Sequence, residues 1–319
     1  MLSRSYFKGI ESIVLENEFL RAEFLPSYGS KLASLISKKT GKEFLFQSEL
    51  KELVIPEYGS AFSSFDSSGF DEVFPSINRC PYPEGNRKNI EVPDHGEVWA
   101  LSWNYEMIGE TIKFWVLSPK LQYRFEKVVK LEKNSLKTVY TVVNLADEDF
   151  KFIWTPHALL NCDENVKIVV PERMNRIMTA EHSTEHLGEW GTEHTYPVTK
   201  SFKTGQDIDM SRVEKVEANN CEKFYFLDKV NKDETCGLEY STGEKITYSY
   251  DAEKIPYLGV WKTQGGYRGH YNVALEPCTG IYDDLYVASE IRKVAVVEKN
   301  KEFFWNFNIT IEVASCKTN

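Results

Sequence analysis

Apolar and polar residues alternate with a period of two along most of the chain, the mark of strands buried on one face. From Leu121, the odd positions Leu121, Tyr123, Phe125, Val129 and Leu131 are apolar, broken only by Lys127. The even positions Gln122, Arg124, Glu126, Lys130 and Glu132 are polar, with Val128 the exception. Glu132 to Ser135 reads as a turn, and Leu136 to Asn144 as the returning strand of a hairpin. Near the C-terminus Phe303, Trp305, Phe307, Ile309, Ile311 and Val313 face one way and Asn306, Asn308, Thr310 and Glu312 the other. Ile10–Leu15, Phe19–Leu25 and Lys31–Ser37 are strand-like too, separated by Glu16-Asn17-Glu18 and Pro26-Ser27-Tyr28-Gly29, with a turn at Thr40-Gly41-Lys42.

No segment keeps a 3.6-residue apolar period with caps, so helices should be few and short. The best candidates are Thr179–Leu187 and Asp209–Val216. Gly59–Pro93 and Met174–Asp209 resist strand assignment, and irregular stretches of that length inside a compact fold are usually functional loops. Neither a linker nor a repeat divides the chain. The expectation is all-β: a large antiparallel β-sandwich formed by residues 1–319 as a single domain.

Composition narrows the function. The net charge is −10, which disfavours nucleic acid and anionic membrane surfaces as partners. The first residues lack the apolar core of a signal peptide and no run is long enough to span a bilayer, so a cytoplasmic location is expected. Six cysteines, at 80, 162, 221, 236, 278 and 316, are scattered and read as reduced thiols. His182, His186 and His194 sit in an acidic loop, but no metal is expected there or elsewhere, and no cofactor.

Three segments carry candidate chemistry. Tyr271–Gly280 places Glu276 at the end of an apolar run, just before Pro277, where burial would raise a carboxyl pKa into a range useful for moving protons. In Phe152–Leu160, His157 is the only titratable group of a nine-residue apolar run. His95, in Pro93-Asp94-His95-Gly96-Glu97-Val98-Trp99, lies where an irregular loop enters a strand. Each histidine can equally be read as a structural residue bonded to backbone.

Taken together, the HG segment, the histidine after a tryptophan-bearing strand and the late EPCTG segment resemble the aldose 1-epimerase (galactose mutarotase) superfamily. Leu20, Ala22, Phe24, Leu25, Pro26, Gly29, Leu32, Ser34 and Leu35, followed by Thr40-Gly41-Lys42-Glu43, are similar to its opening strands. The resemblance spans essentially the whole chain. It implies a β-sandwich that binds a small-molecule sugar across a concave sheet and interconverts its anomers. It also implies Glu276 as the base, His157 as the general acid and His95 as the second histidine. A carboxylate beside an imidazolium would keep both charged near neutral pH.

Asp71, Arg79, Trp154 and Lys262 are the further candidates for holding the sugar, with Glu72 and Arg268 beside them and Trp99 and Trp261 as other stacking surfaces. Ala158 and Leu159 stand where the family usually has proline and an aromatic, which marks a divergent branch. Two alternatives stay open. One is a non-catalytic carbohydrate-binding protein of the same fold. The other is a hexose-phosphate epimerase, which requires a basic cluster near Arg79, Lys262 or Arg268. The pattern leaves the particular sugar and the oligomeric state open.

Overall fold

A computed structural model describes residues 1–313; Cys316 lies outside them. The expected alternation becomes two large antiparallel sheets packed face to face. The first has eleven strands, in the spatial order Leu2–Phe7, Ile10–Glu16, Leu20–Leu25, Lys31–Ser37, Phe70–Val73, Thr155–Asn161, Tyr271–Cys278, Tyr257–Gln264, Asn220–Phe226, Arg176–Thr179 and Glu193–Thr195. The second has eight, running Lys167–Val169, Cys236–Glu239, Lys245–Tyr250, Glu302–Glu312, Ser135–Asn144, Tyr123–Glu132, Thr111–Leu117 and Asn104–Ile108.

Inward-facing residues of both sheets interdigitate, as in other aligned sandwiches. Phe24 meets Phe114 at 5.4 Å, Phe70 meets Phe307 at 6.2 Å, and Trp154 meets Trp305 at 5.1 Å between ring centroids. The hairpin forms as expected, with Glu132 opposite Ser135. The turn itself shrinks to Lys133 and Asn134, with Lys133 in the left-handed region (φ 53°).

Both expected helices are absent. Arg176–Thr179 and Asp207–Asp209 are short strands, and Val216–Ala218 is a single tight turn. Strands of three or four residues are too short to show a period. The α-helix among the described residues, Leu285–Glu290, starts where the Asp284 carboxylate accepts from the Val287 N–H at 3.0 Å. No helix among the described residues is long and apolar enough to cross a membrane.

Lys127, the one polar residue on the apolar side of its strand, explains itself in the core. Its ammonium lies 2.9 Å from the Glu72 carboxylate and donates to the Ser30 carbonyl at 2.7 Å. Glu72 also accepts from the Tyr140 hydroxyl (2.8 Å) and the Trp154 indole N–H (3.0 Å), so both carboxylate oxygens are used. Burial pulls the Lys127 pKa down despite Glu72. Trp154 is therefore a core residue clasped between the sheets rather than a platform for a sugar.

Removing one member of such a buried pair leaves an uncompensated charge. Lys127→Met is expected to cost ~3–5 kcal/mol of stability, measured as a lower midpoint in urea unfolding. A midpoint equal to the parent's would show that Glu72 does not depend on the cation.

Candidate active site

The site is built on the middle of the larger sheet. Tyr271–Cys278 pairs with Thr155–Asn161 on one side, Leu159 opposite Ala274, and with Tyr257–Gln264 on the other, Gly259 opposite Glu276. Asn220–Phe226 comes next, with Tyr225 opposite Gly259 and Lys223 opposite Trp261. Alternation sends Val273, Leu275, Val260 and Phe224 into the core, all fully buried. The other parity, away from the core, carries Asn272, Glu276, Trp261, Lys223 and His157. Glu276 does not end the strand, which runs on through Pro277 to Cys278. Its side chain is 1% exposed.

Gly259 makes the central contact possible. A Cβ there would lie 2.9 Å from the Tyr225 ring and 3.3 Å from Glu276 Oε2. With no side chain in the way, the Glu276 carboxylate crosses the glycine strand and accepts from the Lys223 ammonium. Lys223 also lies 3.6 Å from Asp283 Oδ1, which accepts from the Tyr225 hydroxyl. Burial raises the Glu276 pKa, Lys223 opposes the rise and Asp283 adds to it. Lys223 is buried too, but the two carboxylates outweigh the desolvation and push its pKa up. Lys223 is thus an ammonium, not a nucleophilic amine.

The two histidines meet beside this pair. His95 adopts φ 58° and is followed by Gly96 at φ 77°. A Cβ on Gly96 would collide with the Phe74 carbonyl, so the glycine permits the chain to press against Phe74. His95 Nδ1 is 2.8 Å from Asp94 Oδ1, and its ring stacks on Phe62 with centroids 3.9 Å apart. The His157 ring stands edge-on to His95 at 5.2 Å. Burial, then the nearby positive groups His95, Lys223 and Lys31, drive the His157 pKa well below its ordinary value. The expectation of an imidazolium at His157 is corrected: in the free site it is neutral. Burial raises the Asp94 pKa, but the hydrogen bond and charge of His95 more than reverse this.

Glu276, His157, His95, Lys223 and Asp283 line one cavity of about 260 Å³. Phe62, Trp261 and Tyr267 supply its aromatic walls. Asn272 is fully buried on its floor, with neither amide atom partnered, and the buried Nδ1 of His157 is also unpartnered. Orphaned polar atoms facing a cavity call for a polar ligand. Acids outnumber the single lysine here, since Asp94 and Glu181 also line the wall.

The other expected contacts lie elsewhere. Asp71 pairs in register with His157, but its carboxylate is buried against Lys31 at 2.8 Å, off the cavity wall, where burial pushes its pKa up to about 6. Arg79 is half exposed, 3.6 Å from Glu91. Lys262 points through the opposite face of the sheet, donating to the carbonyls of Met210 (3.4 Å) and Arg212 (3.0 Å). Arg268 is tethered to the carbonyls of Ser63 and Phe65. These positions form no basic cluster in the cavity. Among the described residues no group of three or more histidine, cysteine or acidic side chains is placed to hold a metal.

Lys223, Asp283 and Tyr225 were not foreseen, because their proximity to Glu276 is set by strand order across Gly259. Asn272 had a local signal: it stands four residues before Glu276, at the same strand parity.

No protein-family model and no curated protein sequence matches the chain. Solved structures do. A galactose mutarotase related enzyme from Lactobacillus acidophilus is 16% identical, with 97% of this chain and 99% of that one covered at a TM-score of 0.69. A galactose mutarotase-like protein from Lactobacillus casei is 15% identical, covering 94% and 100% at 0.68. An aldose epimerase homologue from C. elegans is 12% identical, covering 94% and 97% at 0.58. The fold is therefore the galactose mutarotase-like β-sandwich, carried by a divergent sequence.

Replacing Lys223 by Met should move the Glu276 titration to higher pH, because the cation is what holds it down. Gly259→Ala should act in the same direction by displacing the carboxylate, at a cost of ~1–3 kcal/mol from overpacking. The carboxyl stretch in infrared difference spectra, assigned with Glu276→Gln, reports both. No shift in Lys223→Met would show that the pair does not set the ionisation of Glu276.

Proposed function

We propose that this cavity interconverts the anomers of a sugar that carries no phosphate, in the manner of an aldose 1-epimerase. The observation that carries the reading is the buried Glu276 carboxylate facing the same small polar cavity as His95 and His157. Mutarotation needs a base and an acid on either side of one anomeric centre. Glu276 takes the proton of the anomeric hydroxyl, O1 becomes a carbonyl oxygen, and the bond from C1 to the ring oxygen breaks. The ring oxygen receives a proton from the acid. C1 rotates and the steps reverse, with no net oxidation.

The acid must carry a proton at working pH. His157 has lost its proton to burial and cationic neighbours, whereas His95 is backed by the Asp94 carboxylate. The donor role expected of His157 is therefore assigned to His95. His157, neutral, contributes a hydrogen bond beside His95. Lys223 holds Glu276 ionised until the hydroxyl arrives. The absence of a basic cluster, together with the four acids, speaks against a hexose phosphate.

A second reading draws on one observation. The Glu276 carboxylate is already engaged by Lys223, as it would be in a protein that binds a sugar without turning it over.

Polarimetry or NMR exchange with pure anomers of a panel of aldoses separates the two. The epimerase reading expects acceleration of at least one sugar, and a drop of about 10² to 10⁴ in kcat for Glu276→Gln. Tight binding in calorimetry with no acceleration of any sugar would replace it by the binding reading.

The pH profile tests the acid. kcat/KM should rise as Glu276 ionises, with a midpoint above the ordinary glutamate value. A decline that begins below pH 6.5 and disappears in His157→Asn would return the donor role to His157.

A further inference from the structure

The cavity holds more negative charge than the proton transfers require. Asp94, Glu181, Glu276 and Asp283 line it, against Lys223 and, when protonated, His95. Asp94 is matched by His95 at 2.8 Å, and Glu276 by Lys223. Lys223 also lies 3.6 Å from Asp283, so one ammonium serves two carboxylates. Glu181 forms no ion pair with any described residue. Burial raises its pKa, and the Asp283 charge raises it further against the smaller pull of Lys223. Two acids that oppose each other's ionisation beside a cavity call for a cation that the chain itself does not supply.

The sheet sets where that cation must lie. The Ala180 N–H donates to the Lys223 carbonyl at 2.9 Å, so Glu181, the next residue, leaves the strand Arg176–Thr179 beside Lys223, at the exposed rim of the cavity. Glu276 and Asp283 both reach the one Lys223 nitrogen, so their oxygens stand no further apart than a pyranose ring is wide. A positive group that answers Asp283 and Glu181 is therefore a substituent of the reacting ring itself. Asn272 supplies a separate sign of the ligand: it is fully buried, faces the same cavity and has neither amide atom partnered. A paired donor and acceptor suits ring hydroxyls, so the ligand is a polyol that carries the charge rather than a bare ion. The described acids do not converge as a metal would need, whereas an ammonium fixed to a ring requires no such cage.

Building on the epimerase reading, we propose that the substrate is an aminodeoxy aldose, with its ammonium between Glu181 and Asp283 and its anomeric hydroxyl at Glu276. A carboxylate or phosphate in the place of the amine is opposed by both acids.

The test compares glucose, galactose and mannose with glucosamine, galactosamine, mannosamine and the glucoses that bear the amine at the third or sixth carbon. NMR anomer exchange and calorimetry are run on the full chain at a pH where the amine is protonated. At least one amino sugar should exceed its hydroxyl parent at least tenfold in kcat/KM or in affinity. That ratio should fall towards one in Glu181→Gln and below one in Glu181→Lys; both changes lie at the rim and leave the Glu276 pair intact. Parent sugars turned over with no amino sugar favoured would overturn the proposal and leave the epimerase reading standing. So would a preference that survives unchanged in both variants, since the cation would then lie elsewhere. An amino sugar bound tenfold more tightly than its parent, with no sugar epimerised, would support the charge assignment and remove the epimerase reading. If no sugar is bound or turned over, both are wrong.

Discussion

The pair of Glu276 and Lys223 is the constraint around which the cavity-bearing face of the larger sheet is arranged. A carboxylate withdrawn from water is costly unless it is paired and hydrogen-bonded. The partner sits two strands away, so the strand between must offer no obstruction. Gly259 meets that requirement, and Tyr225 and the carboxylate share the space above it. Asp283 then closes the arrangement by bonding Tyr225 and approaching Lys223. Strand order, a missing Cβ and a charge balance are thus one condition. The cavity is the space left in front of it.

The strand Phe70–Val73 shows the same physics twice over. Asp71 and Glu72 are adjacent and therefore face opposite sides of the sheet. Each is matched by a lysine from another strand: Lys31 for Asp71, and Lys127 for Glu72 across the sandwich. The two outcomes differ in hydration-like support. Glu72 receives a tyrosine hydroxyl and an indole N–H besides its cation, while burial leaves the Asp71 carboxyl raised in pKa despite Lys31. Lys127, which broke the apolar pattern of its strand, ties the two sheets together at Glu72.

Much of this was legible in the chain. Period-two alternation carried the sandwich, because each long strand has one face against the core. Glu276, His157 and His95 stood out as polar interruptions of apolar or tightly turned segments, and the structure brings all three to one cavity. Parity would have removed two of the other candidates. Trp261 and Lys262 are neighbours on a strand and cannot both face the cavity; the tryptophan does, and the lysine leaves through the other side. Trp154 stands three residues from His157, out of phase with it, and lies between the sheets. Lys223 was illegible for a different reason. Nothing near it in the chain says which strand will lie two places away, and its role exists only through that neighbour.

The charge balance of the site also explains why its two histidines cannot be equivalent. Lys223, Lys31 and His95 all bear on His157, and a further positive charge in that confined space is opposed by each of them as well as by burial. His95 meets Asp94 at its Nδ1, and the same carboxylate accepts the Phe62 N–H at 2.8 Å, so the acid that supports the ring also fixes the aromatic stacked on it. Holding that ring face costs His95 a left-handed backbone and Gly96 a contact only glycine tolerates. Strain of this kind persists where the surroundings over-determine it. Here they orient one imidazole against a carboxylate, while burial and the neighbouring cations keep the other uncharged.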